Sequence, residues 1–352
     1  MDWLDKLISE LKSDKRPLYL YGAGYLAAKY RELLEKHDIP MKGYIVDEKY
    51  LPKEKEKRYV NGLPIITVND ISEDITVIIC VRANGFGTKF PSSPHIKKMI
   101  STDYSTYVNF GAFDESFMNE HGAELLDLYN RLADSASRFA LVQFVTQKLT
   151  GTYHKQYSEK TQYFDEDVYL PVENEVVVDC GAYTGDSFID FIGFLKDHGI
   201  ASFGKYFALE PDPGNYKTLC DTVKDIDNVE TFCLGAFDKK CTLSFCTGED
   251  EHSSVSEKGN AMIDVDTIDD LAGDEKVTFI KMDIEGSELN ALYGARETIL
   301  KNKPRLAICV YHRQEHLISI PKYILSLVPE YKLYLRSYDP TGVETVLYAL
   351  CD

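Results

Sequence analysis

The chain has 352 residues, of which 44% are hydrophobic and 27% charged, with a formal net charge of −18. That length holds two ordinary domains with real cores, and the composition belongs to a folded protein rather than a disordered one. The negative balance excludes nucleic acid as a partner unless a basic patch exists, and the largest candidate, Lys53–Arg58, is a KEKEKR run whose glutamates mark a solvated loop.

The N-terminal segment MDWLDKLISELKSDKRP is charged and amphipathic, unlike a signal peptide. Trp3, Leu4, Leu7, Ile8 and Leu11 share one helical face, which predicts a helix docked on the body of the protein. A strand at Leu18–Tyr21, a turn at Gly22-Ala23-Gly24 and a helix to Lys36 follow. Further strands at Gly43–Asp47, Leu63–Thr67 and Val77–Val81 predict a small α/β domain over residues 1–110. Its turn reads Gly22-x-Gly24-x-x-Ala27, Asp47 closes the next strand, and no acid stands at the mouth. Bare N–H groups at a helix start suit a phosphate.

Residues 111–170 predict a bridge, mostly helical as far as 150, that also leaves room for contact with a second copy of the chain. From Pro171 strands and helices alternate again. Strands are expected at Val176–Asp179, Tyr206–Glu210, Val229–Leu234, Phe279–Asp283 and Leu306–Val310. Helices are expected at Asp186–Asp197, Pro213–Lys224, Ser287–Leu300 and His316–Leu327. Lys332–Arg336 and Thr345–Leu350 then close residues 171–352 with an antiparallel hairpin on a mainly parallel sheet. Cys241–Val265 is extra and predicts a β-hairpin beside the site. No stretch approaches the roughly 20 apolar residues of a membrane helix. The eight cysteines form no CxxC; reduced thiols in a cytoplasmic protein fit them best.

The second glycine turn, VVVDCGAYTGDSF at 176–188, differs from the first. Asp179 stands at its mouth and Asp186 just beyond it. In a parallel sheet the ligand sits at the carboxyl ends of the strands, and here those ends carry Asp179, Glu210, Asp283 and Glu285. Gly181 and Gly185 let a backbone come close, and Glu210 is placed to accept from ribose hydroxyls. Acids suit a ligand with positive charge. A nucleoside joined to a cationic tail, without phosphate, describes S-adenosylmethionine.

The order of elements resembles a class I S-adenosylmethionine-dependent methyltransferase. More narrowly, VVVDCGAYTGDS, FALEPDPGNYKTL, VETFCLGAFDKKCTLSF, VDTIDDL and FIKMDIEGSELNALYGA, in that order, resemble the FkbM family. The K-x-D-x-E-G-x-E string at Lys281–Glu288 is the most specific piece. The resemblance implies that Asp179, Gly181 and Gly185 cradle the methionine part, that Glu210 holds the ribose and that Ala236 and Phe237 line the adenine. It places Asp283 beside the cofactor's amino end or the acceptor. Many members carry Asn where this chain has Tyr183. Residues 1–110 resemble the small Rossmann-like domains that precede sugar-modifying acyltransferases and some methyltransferases, which implies a nucleotide-sugar at Gly22 and Gly24.

Methyl transfer to a hydroxyl is helped by a base. His312, after the fifth strand, and Asp283 are the candidates; His252 is a weaker one. Asp283 and Glu285 holding Mg2+ would be another way to acidify a hydroxyl, though the sequence shows no metal-binding spacing. Arg313, with Glu285, is placed to grip an acidic or sugar acceptor. The expected function is O-methylation of a saccharide, nucleotide-sugar or similar polar metabolite. Two other readings stand beside it. One is a non-catalytic nucleotide-sugar-binding protein on a methyltransferase-like scaffold. The other is an NAD-dependent oxidoreductase, which rests on the first turn alone.

Overall fold

The computed structural model describes residues 3–81, 92–154, 156–246, 254–255 and 261–351. The chain divides into two compact units, residues 1–118 with 143–155, and 119–142 with 156–352.

In the first unit, helix α1 (Trp3–Ser13) buries the five apolar residues that share its face, as their spacing predicts. A six-stranded sheet follows, formed by β1 (Leu18–Tyr21), β2 (Gly43–Ile45), β3 (Tyr59–Val60), β4 (Leu63–Ile66), β5 (Ile75–Ile79) and β6 (Ile96–Ile100), in the order β3-β4-β2-β1-β5-β6. All its pairs are parallel except β3 with β4. Helix α2 (Tyr25–Lys36) makes the crossover from β1 to β2 and buries Leu26, Ala27, Tyr30, Leu33 and Leu34. The edge strands β3 and β6 lack the apolar runs of the central ones and were not expected from the sequence.

Helix α3 (Tyr104–Phe110) precedes the stretch read as a bridge, and α4 (Glu115–Arg131) and α5 (Ser135–Thr150) are the helices expected in it as far as residue 150. Within the second unit the α4–α5 junction lies along the edge of a sheet strand. Leu132 bridges Leu333, Arg336 pairs with Asp134 at 2.7 Å, and Ser137 Oγ accepts from Leu335 N–H. An edge that would otherwise offer unpaired backbone groups is thereby covered.

The second unit is built on a seven-stranded sheet. Its strands are β7 (Val176–Cys180), β8 (Lys205–Leu209), β9 (Val229–Phe232), β14 (Phe279–Met282), β15 (Arg305–Cys309), β16 (Lys332–Ser337) and β17 (Thr345–Leu350). The order is β16-β17-β15-β14-β7-β8-β9, parallel from β15 to β9, with β17 antiparallel to both neighbours. Both faces of β7 are buried, which is why VVVDC reads as an unbroken apolar run up to its acid. Helices α6 (Asp186–Asp197), α7 (Pro213–Val223) and α11 (His316–Leu327) lie where apolar spacing predicts them. A second, four-stranded sheet orders β10 (Gly235–Ala236), β13 (Ala261–Asp266), β11 (Cys241–Cys246) and β12 (Ser254–Val255), and the expected hairpin is the antiparallel β11–β13 pair. The third core strand stops at Phe232, short of the expected Leu234, because the chain crosses into this second sheet at Gly235.

Short α8 (Ile268–Ala272) precedes one clear departure from expectation. The single helix Ser287–Leu300 is two, α9 (Glu288–Tyr293) and α10 (Arg296–Asn302). A Cβ on Gly294 would overlap the carbonyl oxygen of Phe237, and Gly294 O accepts from Asp269 N–H at 2.9 Å. Asp269 in turn caps α10, accepting from Glu297 N–H at 3.0 Å and Thr298 N–H at 2.8 Å. Sequence-distant partners break the helix; its local pattern does not. Among the described residues no helix is long and apolar enough to cross a membrane, and no disulfide joins the described cysteines.

Gly294 has an ordinary negative φ, so its substitution tests packing alone. Gly294→Ala must push α9 off the Phe237 carbonyl, at an overpacking cost of about 1–3 kcal/mol. Chemical denaturation followed by circular dichroism should show that loss.

Candidate active site

The carboxyl ends of β7, β8 and β14 meet at the second glycine turn. Gly181 has φ +82°, and a Cβ there would overlap the carbonyl oxygen of Asp283, so only glycine lets these two strand ends touch. Gly185, at φ +93°, caps α6 in the left-handed region, and a Cβ there would lie 2.9 Å from Thr222 Cγ2. Between them Tyr183 is also left-handed, at φ +47°, and half exposed. Its N–H donates to Glu210 Oε2 at 2.9 Å, and Asp212 N–H donates to Glu210 Oε1 at 2.9 Å. Glu210 is thus fixed at the end of β8 with one lone pair per oxygen still to offer. Burial pushes its carboxyl up to about 7, against the pull of those two N–H groups.

Asp179 does not face outward as the sequence suggested. It is fully buried beneath the turn. Its Oδ2 accepts from Ser187 Oγ and from Tyr206 OH, each at 2.7 Å. Its Oδ1 lies 3.0 Å from Lys281 Nζ, on the neighbouring strand at the paired position. Lys281 Nζ also donates to Gly181 O at 2.6 Å and sits 5.0 Å from the centre of the Tyr163 ring. Burial would favour a neutral amine, but Asp179 and then Asp283 more than offset it and hold Lys281 charged. Asp179 therefore supports the turn from below. Asp186, at the first position of α6, is exposed, where it complements the helix dipole.

Asp283 is partly exposed and well held. Its Oδ2 accepts from Tyr163 OH at 2.7 Å and its Oδ1 from Tyr311 OH at 3.3 Å. His312 Nε2 stands 3.5 Å from Asp283 Oδ1 and 3.6 Å from Glu285 Oε2, so the structure brings Asp283, Glu285 and His312 together. The other ring nitrogen, Nδ1, lies 2.8 Å from Glu288 Oε1, and Glu288 Oε2 lies 3.1 Å from His316 Nδ1. Glu288 Oε1 also accepts from Ile284 N–H at 3.0 Å and Gly286 N–H at 3.3 Å. This fully buried acid thus fastens the DIEG turn to the ends of β15 and α11.

These neighbours weigh against His312 as the base. Burial alone would lower its pKa, but Glu288, with Asp283 and Glu285, raises it to about 9. At neutral pH the ring already carries the proton a base would need to accept. Arg313 is exposed and donates from Nε to Gly286 O at 2.7 Å, bracing the same turn.

Two groups of described residues bring three metal-ligating atoms within 4.8 Å of one another, Asp283–Glu288–His312 and Asp283–Cys309–Glu344. Neither suits Mg2+. Glu288 is committed to amides and imidazoles, and burial holds the Cys309 thiol well above its usual range, a soft and protonated partner for a hard ion. The positive charge between Asp283 and Glu285 comes from His312.

Ala236 and Phe237 lie on and just beyond β10. Phe237 N–H donates to Asp266 O at 2.9 Å, and a Cβ on Gly235 would be 3.9 Å from Pro211 Cβ, which places this strand beside the loop after Glu210. His252 lies outside the described residues. In the first unit, Gly22 (φ +107°) turns so tightly that a Cβ would lie 2.9 Å from Cys80 O, whereas the missing Cβ of Gly24 faces open space at the start of α2. Asp47 accepts from Tyr21 OH at 2.7 Å.

Residues 179–338 match the methyltransferase FkbM domain family. The second unit contains a methyltransferase FkbM domain. Methyltransferase FkbM from Methylobacillus flagellatus KT is similar along almost the whole chain. It is 26% identical with a TM-score of 0.75, and the match covers 98% of this chain and 93% of that one. The mixed α/β architecture, with mostly parallel sheets, is thus a methyltransferase fold. Weaker likenesses reach an rRNA methylase from Streptococcus thermophilus (17% identity, TM-score 0.32, 51% of this chain and 87% of that one) and Aeropyrum pernix fibrillarin with natively bound S-adenosyl-L-methionine (13%, 0.34, 52% and 70%). At those TM-scores they carry no argument. No curated protein matches the chain.

Sequence reasoning did not single out Lys281, Tyr163 or Glu344. Lys281 was visible only as a letter of the K-x-D-x-E-G string. Tyr163 and Glu344 are far from every motif, and no sequence signal marks them.

The His312–Glu288 contact gives the fold a pH window. His312 has a folded pKa of about 9 against an ordinary 6.5, so its contribution is full below 6.5 and lost as pH rises through 9. Glu288 is held well below its ordinary 4.5, chiefly by His312 acting against burial, so its contribution is present above 4.5 and lost as pH falls further. Urea unfolding from pH 4 to 10 should show a plateau bounded by these limits. His312→Ala should remove the alkaline loss and cost about 3–5 kcal/mol at neutral pH, because Glu288 is left buried without its main partner.

Proposed function

We propose that this domain uses S-adenosylmethionine to methylate a hydroxyl of a saccharide, nucleotide-sugar or similar polar metabolite. The observation that carries the reading is the turn itself. Gly181 and Gly185 let the turn close tightly against Asp283 and Thr222, and Glu210 stands at the adjacent strand end with acceptor capacity for a pair of ribose hydroxyls. Ala236 and Phe237 would flank the adenine. The turn offers no acid-free cradle for a pyrophosphate, which favours a cofactor whose charge is positive. When bound, the cofactor supplies a methyl group on a sulfonium, and the sulfur departs as a neutral thioether with the C–S electron pair.

The chain's own residues do the remaining work. Tyr163 and Tyr311 orient the Asp283 carboxylate by donating to its two oxygens, so that it can receive a hydroxyl proton without reorganising. His312, already protonated, fixes the positions of Asp283 and Glu285 by charge. Glu288 and Arg313 hold the turn that carries both acids. An edge with this many carboxylates suits an acceptor that presents hydroxyls to it.

Calorimetric titration with S-adenosylhomocysteine tests the reading. Micromolar binding by the wild type, lost in Glu210→Ala, is expected; no binding by folded wild-type protein would leave a scaffold without its cofactor. Ribose hydroxyls must donate to an ionised Glu210, and burial holds that carboxyl near 7 in the free protein. Affinity should therefore be flat above pH 7 and fall about tenfold for each unit below it. Glu210→Gln should flatten the profile.

A further inference from the structure

Because β17 runs antiparallel to β15, its first residues arrive at the same sheet edge as the carboxyl ends of the parallel strands. Val310 N–H donates to Thr345 O at 3.0 Å, which locks that arrival in place. The residue just before the strand is Glu344. Its carboxylate comes within 4.8 Å of both an Asp283 oxygen and the Cys309 sulfur. The backbone holds it there in the left-handed region, at φ +68°, a conformation that is costly for a residue with a side chain and is kept only where its surroundings enforce it.

We propose that Asp283 and Glu344 act as one proton-sharing pair at the acceptor end of the site, taking up the proton that an acceptor hydroxyl loses. The proposal rests on the methyl-transfer reading above and adds to it where the proton goes. In that step the acceptor O–H bond breaks as the C–O bond forms. The cofactor leaves as a neutral thioether, so the proton is the one charge the protein must place.

The surroundings divide the two acids. Asp283 accepts from two phenols and faces the His312 cation. Glu344 accepts from Gln162 Nε2 and otherwise faces Asp283, Cys309 and Asp339, with the charge of His312 acting on it. Gln162 Nε2 also donates to Tyr163 OH at 2.8 Å, so one amide ties the two halves together. Burial, then the charge of Asp283, pushes Glu344 up to about 7. Close to another carboxylate and held by a single amide donor, Glu344 is the acid of the two that keeps a proton most readily.

The test needs no acceptor. Protein labelled with 13C at glutamate carboxyls is titrated by NMR, with S-adenosylhomocysteine present and absent. Two resonances should titrate near 7, those of Glu210 and Glu344; the one that vanishes in Glu344→Gln should move toward the ordinary 4.5 in Asp283→Asn. A Glu344 resonance that titrates near 4.5 in the wild type, or ignores Asp283→Asn, overturns the proposal. A second readout uses [methyl-3H]S-adenosylmethionine with a panel of free monosaccharides and UDP-, GDP- and dTDP-sugars. For any member that is methylated, Glu344→Gln should lower kcat at least tenfold and shift the acid limb of the pH profile. An unchanged profile with that member would equally overturn it. Absence of S-adenosylhomocysteine binding in wild type would instead sink the cofactor reading, a result separable from the carboxyl titration.

Discussion

The catalytic edge depends on one buried cation. Lys281 sits on a central strand, is almost wholly removed from water, and touches Asp179 and the Gly181 carbonyl at once. A buried charge is tolerable only when it is paired and its hydrogen bonds are met. Here the pairing determines local form. Asp179 must lie below the turn to meet Lys281, Gly181 must offer its carbonyl inward, and the backbone at Gly181 must press on Asp283. The geometry of the turn is the consequence of satisfying this ammonium group.

A second buried pair organises the other half of the site. Glu288 gathers two imidazoles and two backbone amides, and so sets the DIEG turn against the ends of β15 and α11. The result inverts the usual reading of a histidine at a sheet edge. His312 is a fixed positive charge that permits three carboxylates to crowd together, and its own basicity is used up in doing so. The acids around it differ in solvation and partners, and burial beside Asp283 poises one of them, Glu344, near neutrality.

The two glycine turns show how little the glycines alone decide. Both use positive φ to bring strand ends close, at Gly22 beside Cys80 and at Gly181 beside Asp283. One has no acid at its mouth; the other is surrounded by acids. The chemistry follows from the residues at neighbouring strand ends, which only the sheet order assembles.

The alternation of apolar runs and amphipathic stretches determined the order of the central strands and their helices in both units, because periodicity records which face each element buries. The ordered blocks around Asp179, Glu210 and Asp283 likewise marked the sheet edge and the methyltransferase domain. Local pattern did not show that Gly294 splits a helix, since the cause is a carbonyl far away at Phe237. Nor did it show that the charge of Asp179 turns inward, because that needs Lys281 a hundred residues on. Glu344 and Tyr163 stayed invisible for the same reason. They reach the site from an antiparallel strand and a long loop, and a side chain's pKa and role depend on neighbours that the sequence leaves far apart. The chain order of types was enough for the fold; burial and juxtaposition, which exist only after folding, decided how the acids of the site are paired.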